Sequence, residues 1–307
     1  MDRVCCDEPV PDIAVPDIAE PDIAAPEDPL LLRDLAVAVA ERVADHVRTR
    51  RPEVFGPPGA APVGDAVRAK STPTDPVTVV DTEAEVLTRE LLARHRPADR
   101  LVGEEGSGDP AAVDGLRWVV DPIDGTVNFL YGIPAYAVSL AVQWQGVTVA
   151  GAVVDVPHAE TYSAARGYGA ECSTAAGRVR LRCSAADDLA LALVGTGFGY
   201  SGTRRAAQAR LVGELLPHVR DIRRIGSAAL DLCALAAGRL DGFYEHGLSP
   251  WDWAAAALVA TEAGCRVMLP SAGTPGSAGA ILVAAAPGVA GQLIQALRAA
   301  DGLEPIR

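Results

Sequence analysis

The chain reads as an α/β (α+β) protein of two lobes, and three observations predict it. Apolar residues recur at helical spacing over 32–47, β-rich runs crowd the stretch 118–182, and short strands alternate with helices from 191 onward. At 307 residues, with 49% apolar and 22% charged side chains, the chain has enough apolar surface to bury a sizeable core without staples. The spacing divides it into a tail over 1–28, an α+β lobe over 29–187 and an α/β lobe over 188–307.

The tail repeats PDIA from Pro11, Pro16 and Pro21 and holds nine acids against one base, Arg3. It thus carries −8 of the net −13 and leaves −5 on the body. Proline at this density prevents helix and the repeat offers little to bury, so the tail is expected to be disordered and solvated. The acidic balance argues against nucleic acid as a partner.

Leu32, Leu35, Val39, Val43 and Val47 form the apolar stripe of a first helix, followed by a Pro/Gly loop from Pro52 to about Gly64. Val77–Val80 reads as a strand. Thr82-Glu83-Ala84-Glu85 reads as a capping box opening a helix through Leu92. Strands are predicted at Trp118–Val120, Ala135–Gln143, Val147–Val156 and Arg178–Arg182. In the second half, strands fall at Leu191–Thr196, Leu240–Tyr244 and Ile281–Ala285, and helices at Ser227–Ala237, Trp253–Ala263 and Val289–Ala299. The cysteines at 5, 6, 172, 183, 233 and 265 form no C-x-x-C pair. With no secretory leader and no bilayer-length apolar run, a soluble cytoplasmic protein with reduced thiols is expected.

Chemistry concentrates at WVVDPIDGTVNF, 118–129. On a regular strand Asp121 and Asp124 would face opposite ways; Pro122 cannot donate to a ladder, so the chain should turn and bring both carboxylates to one side. Gly125 and Thr126 then open a helix whose free amides suit phosphate. Two converged carboxylates call for a cation between them, and a hard divalent ion such as Mg²⁺ takes oxygen ligands. The structural alternative is an Asx-turn followed by an N-capped helix. Glu104 and Glu105, between Gly103 and Gly106, form either a solvated turn or a third carboxylate source. Asp252, between Trp251 and Trp253, reads as the N-cap of its helix. A lone Lys70 or Asp81 is more often a surface residue than a catalytic one.

Together GEEG at 103–106, DPIDGTVNF at 121–129, WDWAAAALVATEAG at 251–264, KSTPTDPVTVVDTEAE at 70–85 and GSAALDLCALAAGRLDGFYE at 226–245 resemble the inositol monophosphatase family. The resemblance runs from about Leu31 to the C-terminus. It implies the layered α/β/α/β/α sandwich of the inositol monophosphatase and fructose-1,6-bisphosphatase type, usually a homodimer. It also implies a phosphoric monoester hydrolase acting on a small phosphate monoester by direct in-line attack of a metal-activated water, with no phosphoenzyme.

By the same resemblance Glu104, Asp121 and the carbonyl of Ile123 hold one Mg²⁺, and Asp121, Asp124 and Asp252 hold a second. A third, weaker ion near Glu104 arrives with substrate. Gly125 and Thr126 amides take phosphate oxygens, Thr126 and Asp81 orient the water, and Glu245 and Ala228 contact the substrate alcohol. Glu104, Thr126 and Asp81 are thus the expected catalytic residues, and Asp124, Gly125, Thr126, Ala228, Glu245 and Asp252 the substrate-binding ones. Most metal ligands fall in the 29–187 lobe; the 188–307 lobe supplies Asp252 and substrate contacts. Inositol phosphate, histidinol phosphate, fructose 1,6-bisphosphate and adenosine 3′,5′-bisphosphate are all handled by relatives, and Glu245 favours a polyol. Two rivals are a haloacid-dehalogenase-type phosphatase, whose D-x-D-G-T loop differs in spacing from DPIDGT, and a non-catalytic metal or phosphate binder.

Overall fold

The computed structural model describes residues 27–56 and 66–307. The PDIA repeat, Cys5, Cys6 and most of the predicted Pro/Gly loop lie outside the described residues. In chain order the elements are α1 (Pro29–Phe55), β1 (Val67–Ala69), β2 (Pro76–Thr78), α2 (Val79–His95), β3 (Arg100–Gly103), β4 (Leu116–Asp124), α3 (Thr126–Tyr131), β5 (Ala137–Trp144), β6 (Val147–Asp155), β7 (Glu160–Ala165), β8 (Gly169–Thr174) and β9 (Gly177–Arg180). They continue with β10 (Leu193–Thr196), α4 (Gly202–Leu215), β11 (Asp221–Arg223), α5 (Ala228–Ala236), β12 (Gly242–His246), α6 (Pro250–Glu262), β13 (Arg266–Met268), β14 (Ile281–Ala285) and α7 (Pro287–Ala299).

Two sheets organise the chain. Strands β3 to β9 form a seven-stranded sheet in sequence order, antiparallel except for β3 beside β4. A five-stranded sheet runs β11-β10-β12-β14-β13. α1 and α2 cover the outer face of the first sheet, α5 and α6 lie between the sheets, and α7, with α4 against it, covers the second. The result is the expected five-layer α/β/α/β/α sandwich.

Burial explains the helix compositions. α1 buries one stripe only, Leu32, Ala36, Val39, Ala40, Val43, Ala44 and Val47, because solvent lies on its other side. α6 is buried continuously from Trp253 to Ala260, since a sheet lies on each side. Its alanines permit close approach: a Cβ on Gly151 of β6 would stand 3.1 Å from Ala255. Among the described residues no helix is long and apolar enough to cross a membrane.

Several boundaries differ from the sequence reading, each for a local reason. Val79 and Val80 belong to α2, not to a strand, because the Thr78 hydroxyl accepts from the Val80 and Asp81 amides and starts the helix there. The capping box is therefore Thr78 with Asp81, not Thr82 with Glu85. α1 continues through Pro52 to Phe55. α6 starts at Pro250 with Ser249 as N-cap, so Asp252 occupies the third helical position and is not itself the cap. β7 and β8 are short strands on the sheet's outer half, and α4 follows the glycine-rich stretch after β10; neither had a strong periodic signal.

Candidate active site

The residues singled out in sequence meet in one cleft between the ends of the two sheets, with a free volume of about 150 Å³. Glu104, Asp121, Ile123, Asp124, Gly125, Thr126, Ala228, Glu245 and Asp252 all line it. Asp81 stands directly behind Thr126, whose hydroxyl lies 3.1 Å from Asp81 Oδ1 and 3.0 Å from the Ile123 carbonyl.

β4 delivers the first carboxylates. Its pairing with β5 is regular to Asp121, then shifts register before Asp124. The chain does not leave the strand at Asp121; it bulges across Pro122 and Ile123, and the bulge turns the second carboxylate to the same side. The Ile123 amide donates to Asp121 Oδ1 at 3.0 Å. Gly125 has φ +94°, and a Cβ there would come within 2.9 Å of the Ala135 carbonyl, so glycine is required before α3.

The start of α5, a helix between the sheets, holds Asp124. Ser227, the N-cap of α5, donates its hydroxyl to Asp124 Oδ2 at 2.6 Å, and the Ala229 amide donates to the same oxygen at 2.7 Å. Asp252 is anchored within its own helix, where the Ser249 amide donates to Oδ2 at 2.6 Å.

The 103–106 turn is not a solvated one. Glu85 of α2 accepts from the Glu105 amide at 2.7 Å and from the Ser107 amide and hydroxyl at 3.0 and 2.6 Å. A Cβ on Gly103 would lie 2.3 Å from a Glu85 oxygen, so that glycine makes room for the brace. Lys70 Nζ lies 2.8 Å from Glu104 Oε1 and also bonds Glu105. Lys70 therefore belongs to the site.

The electrostatics follow from burial. Burial, then Glu104, Asp124 and Asp252, push the Asp121 carboxyl well above its ordinary range. Asp252 is raised well above it by burial, Glu104 and Asp124. Burial raises Asp124 to about 6 against the opposing bonds from Ser227 and Ala229. Asp81 is raised to about 6, chiefly by burial, against its bonds from Thr78. Glu245 is pushed up to about 8 by burial, opposed by Arg224 and assisted by Asp124. Each acid costs more to ionise because the others are near and water is not.

The donor set is hard oxygen throughout, which fits a small divalent cation. The side chains are not drawn into a cage: among the described residues no group of three or more His, Cys, Asp or Glu is gathered closely enough to hold a metal. Asp121, Asp124 and Asp252 are instead satisfied by backbone amides and Ser227, and Glu104 by Lys70.

The sequence reading missed Ser227, took Lys70 for a surface residue and Glu85 for a capping residue, and saw the glycine-rich stretch that holds Gly197–Tyr200, which walls the cleft, only as a region that admits several leaving groups. Glu85 and Lys70 lie in the quoted 70–85 segment, but their partners are fixed only by folding. Gly197 carries a signal in its size: a Cβ there would lie 2.0 Å from Glu245.

The chain matches the model of the "Inositol monophosphatase family" over residues 32–301. It is 57% identical over 284 residues to "Inositol-1-monophosphatase SuhB" of Mycobacterium tuberculosis, covering 91% of this chain and 97% of the relative. The solved structure of Mycobacterium tuberculosis SuhB superposes with a TM-score of 0.77 at 51% identity, covering 91% of this chain and all of that one. An inositol monophosphatase from Anabaena gives a TM-score of 0.73 at 27% identity, covering 90% of this chain and 98% of that one. The haloacid-dehalogenase alternative, which leaves Glu104 and Asp252 without roles, falls away. On fold, motif order and similarity alike, the chain belongs to the inositol monophosphatase family.

Proposed function

We propose that this protein is a Mg²⁺-dependent phosphoric monoester hydrolase whose substrate is an inositol monophosphate. One observation carries the reading: buried carboxylates from both sheets line a single cleft and raise one another's pKa values, with Lys70 opposing them at Asp121. Such a pocket repels a phosphate dianion until divalent cations reverse its sign. The 57% identity to a relative named inositol-1-monophosphatase supports the choice of substrate.

Glu104, Asp121, Asp124, Asp252 and the Ile123 carbonyl would hold the ions, two at first and a third with substrate. Bound Mg²⁺ supplies Lewis-acid charge that draws in the phosphate, acidifies the attacking water and neutralises the leaving alkoxide.

The remaining work belongs to this chain's own groups. The Thr126 hydroxyl donates to Asp81, which frees its lone pair to accept a proton from the water. Asp81, buried behind Thr126, receives that proton through the shared hydroxyl. The Gly125 and Thr126 amides face the phosphate oxygens at the start of α3, and water attacks in line with the leaving oxygen. Glu245, raised to about 8, is largely protonated at neutral pH and donates a hydrogen bond to a substrate hydroxyl, while Ala228 leaves room for the ring. The same reading includes a homodimer in the cytoplasm. Exposed Leu191 and Leu216, both ahead of edge strand β11 in sequence, and the open edge of β11 itself support an association face.

The test is a panel of phosphate monoesters with and without Mg²⁺, scored by released phosphate. Inositol 1-phosphate should give the highest kcat/KM, and Asp124→Asn should abolish turnover with an unchanged circular dichroism spectrum. Absence of Mg²⁺-dependent release from every monoester would favour the non-catalytic binder.

A further inference from the structure

Away from the cleft, two thiols meet where the chain passes between the sheets. Cys183 lies in the segment between β9 and β10, the covalent link from the first sheet to the second. Cys265 lies between α6 and β13. The Cys183 amide donates to the Ala263 carbonyl at 3.0 Å, which binds the link to the end of α6. Gly264 has φ +98°, and this left-handed residue folds the chain back after the helix. A Cβ on Gly264 would stand 3.6 Å from Cys183 Sγ. The Cys265 and Cys183 side chains are near enough to act on one another.

The two sulfurs differ in access. Cys265 is buried, and Cys183 is partly open to solvent. Burial and the contact with Cys183 push the Cys265 thiol up, and Cys183 is the sulfur solvent can reach, so Cys183 is the nucleophile. The second near pair, Cys172 and Cys233, is buried at both members, and burial raises both thiols. An oxidant can therefore reach the first pair and not the second.

We propose that Cys183 and Cys265 form a redox-active dithiol that closes to a disulfide, with a low-molecular-weight disulfide as the oxidant. The Cys183 thiolate attacks one sulfur of the small disulfide, whose S–S bond breaks and releases one thiolate. Cys265 then loses its proton to solvent and attacks Cys183 Sγ, forming the protein disulfide and expelling the second small thiolate. Both expelled thiolates take up protons. The protein loses two electrons and two protons, and the small disulfide is reduced to two thiols. The bond closes a ring over β10, α4, β11, α5, β12 and α6, so Glu245 and Asp252 sit in a loop whose ends are tied at the junction of the sheets. Closing a loop this long restricts the unfolded chain strongly.

The experiment uses the full-length protein incubated with glutathione disulfide, then alkylated and digested without reduction. The expected result is one linked peptide pair, joining the Cys183 peptide to the Cys265 peptide. With it, Tm should rise by roughly 5–10 °C, reversed by dithiothreitol. Cys183→Ser should abolish both effects. If that variant does not fold, the wild-type peptide map and the Cys265→Ala variant carry the test. The proposal is overturned if Cys183 and Cys265 both remain alkylatable after oxidation, or if the linkage joins other cysteines. It is overturned equally by a Tm rise that persists in either variant.

Discussion

The two carboxylate-bearing turns of the cleft are built in different ways. The backbone of the turn at the end of β4 is held from within, while the Asp124 side chain it carries is tied to Ser227 and Ala229. The Ile123 amide caps Asp121, the Thr126 hydroxyl bonds the Ile123 carbonyl, and the bulge turns Asp124 inward, all inside six residues. The turn at 103–106 is held from outside, by Glu85 of α2 and by Lys70 after β1. A locally anchored turn keeps its geometry wherever its strand goes. A remotely braced turn is correct only once α2 has docked against β4, and the comparison yields four tests.

The largest effect should come from the self-contained turn. Asp121→Asn should lower Mg²⁺-dependent kcat/KM by about a thousand-fold or more in phosphate-release assays. The same change removes one charge from a repulsive group, so the metal-free Tm should rise.

Glu85→Ala should act through the brace. It leaves the Glu105 and Ser107 amides without their acceptor, at a cost of about 2–4 kcal/mol in denaturant unfolding. The Mg²⁺ concentration for half-maximal activity should rise about tenfold, as for other residues that orient ligands indirectly. An unchanged Mg²⁺ requirement would mean that Glu104 needs no brace.

Glu245→Gln keeps a neutral donor of similar shape where the acid is mostly protonated. It should change KM at neutral pH by no more than about threefold, against about tenfold for Glu245→Ala. A large loss in the Gln variant would show that the ionised form is the one in use.

The smallest effect is on stability against pH. Asp81 and Asp124 have folded-state pKa values raised to about 6 from 3.8. A carboxyl raised on folding adds stability below its unfolded value, and that stability is lost as pH rises through the folded value. The metal-free protein should therefore gain a few degrees in Tm as pH falls from about 7 to about 5. Saturating Mg²⁺ should remove that slope. Glu83, lowered by Arg50, works in the opposite direction only below its ordinary 4.5, outside this window.

The same contrast explains what could be read in advance. The β4 turn was legible because its chemistry and its supports share one stretch: a buried run, two Asp, Pro122 and Gly125. The helices α5 and α7 were legible from apolar content and periodicity. The start of α2 was not, because Val77–Val80 is as good a strand sequence as a helix start. The hydroxyl of Thr78 decided it by serving two amides. Asp252 looked like a cap and is a third-position residue, since Ser249 three positions earlier is an equally good cap and Pro250 favours the first helical turn.

The sequence by itself determined which side chains are acidic, where glycine is obligatory and which segments bury on one side or on all. Those properties are local, set by side-chain chemistry and backbone freedom over a few residues. Tertiary structure alone decided that Ser227 and Ala229 hold Asp124, that Glu85 and Lys70 hold the 103–106 turn, and that Cys183 rests on Cys265. These partners lie 20 to 105 positions apart along the chain. They become neighbours only when α5 and α6 are enclosed between the two sheets. Burying that shared apolar surface, and no pairwise attraction among the partners, brings them together.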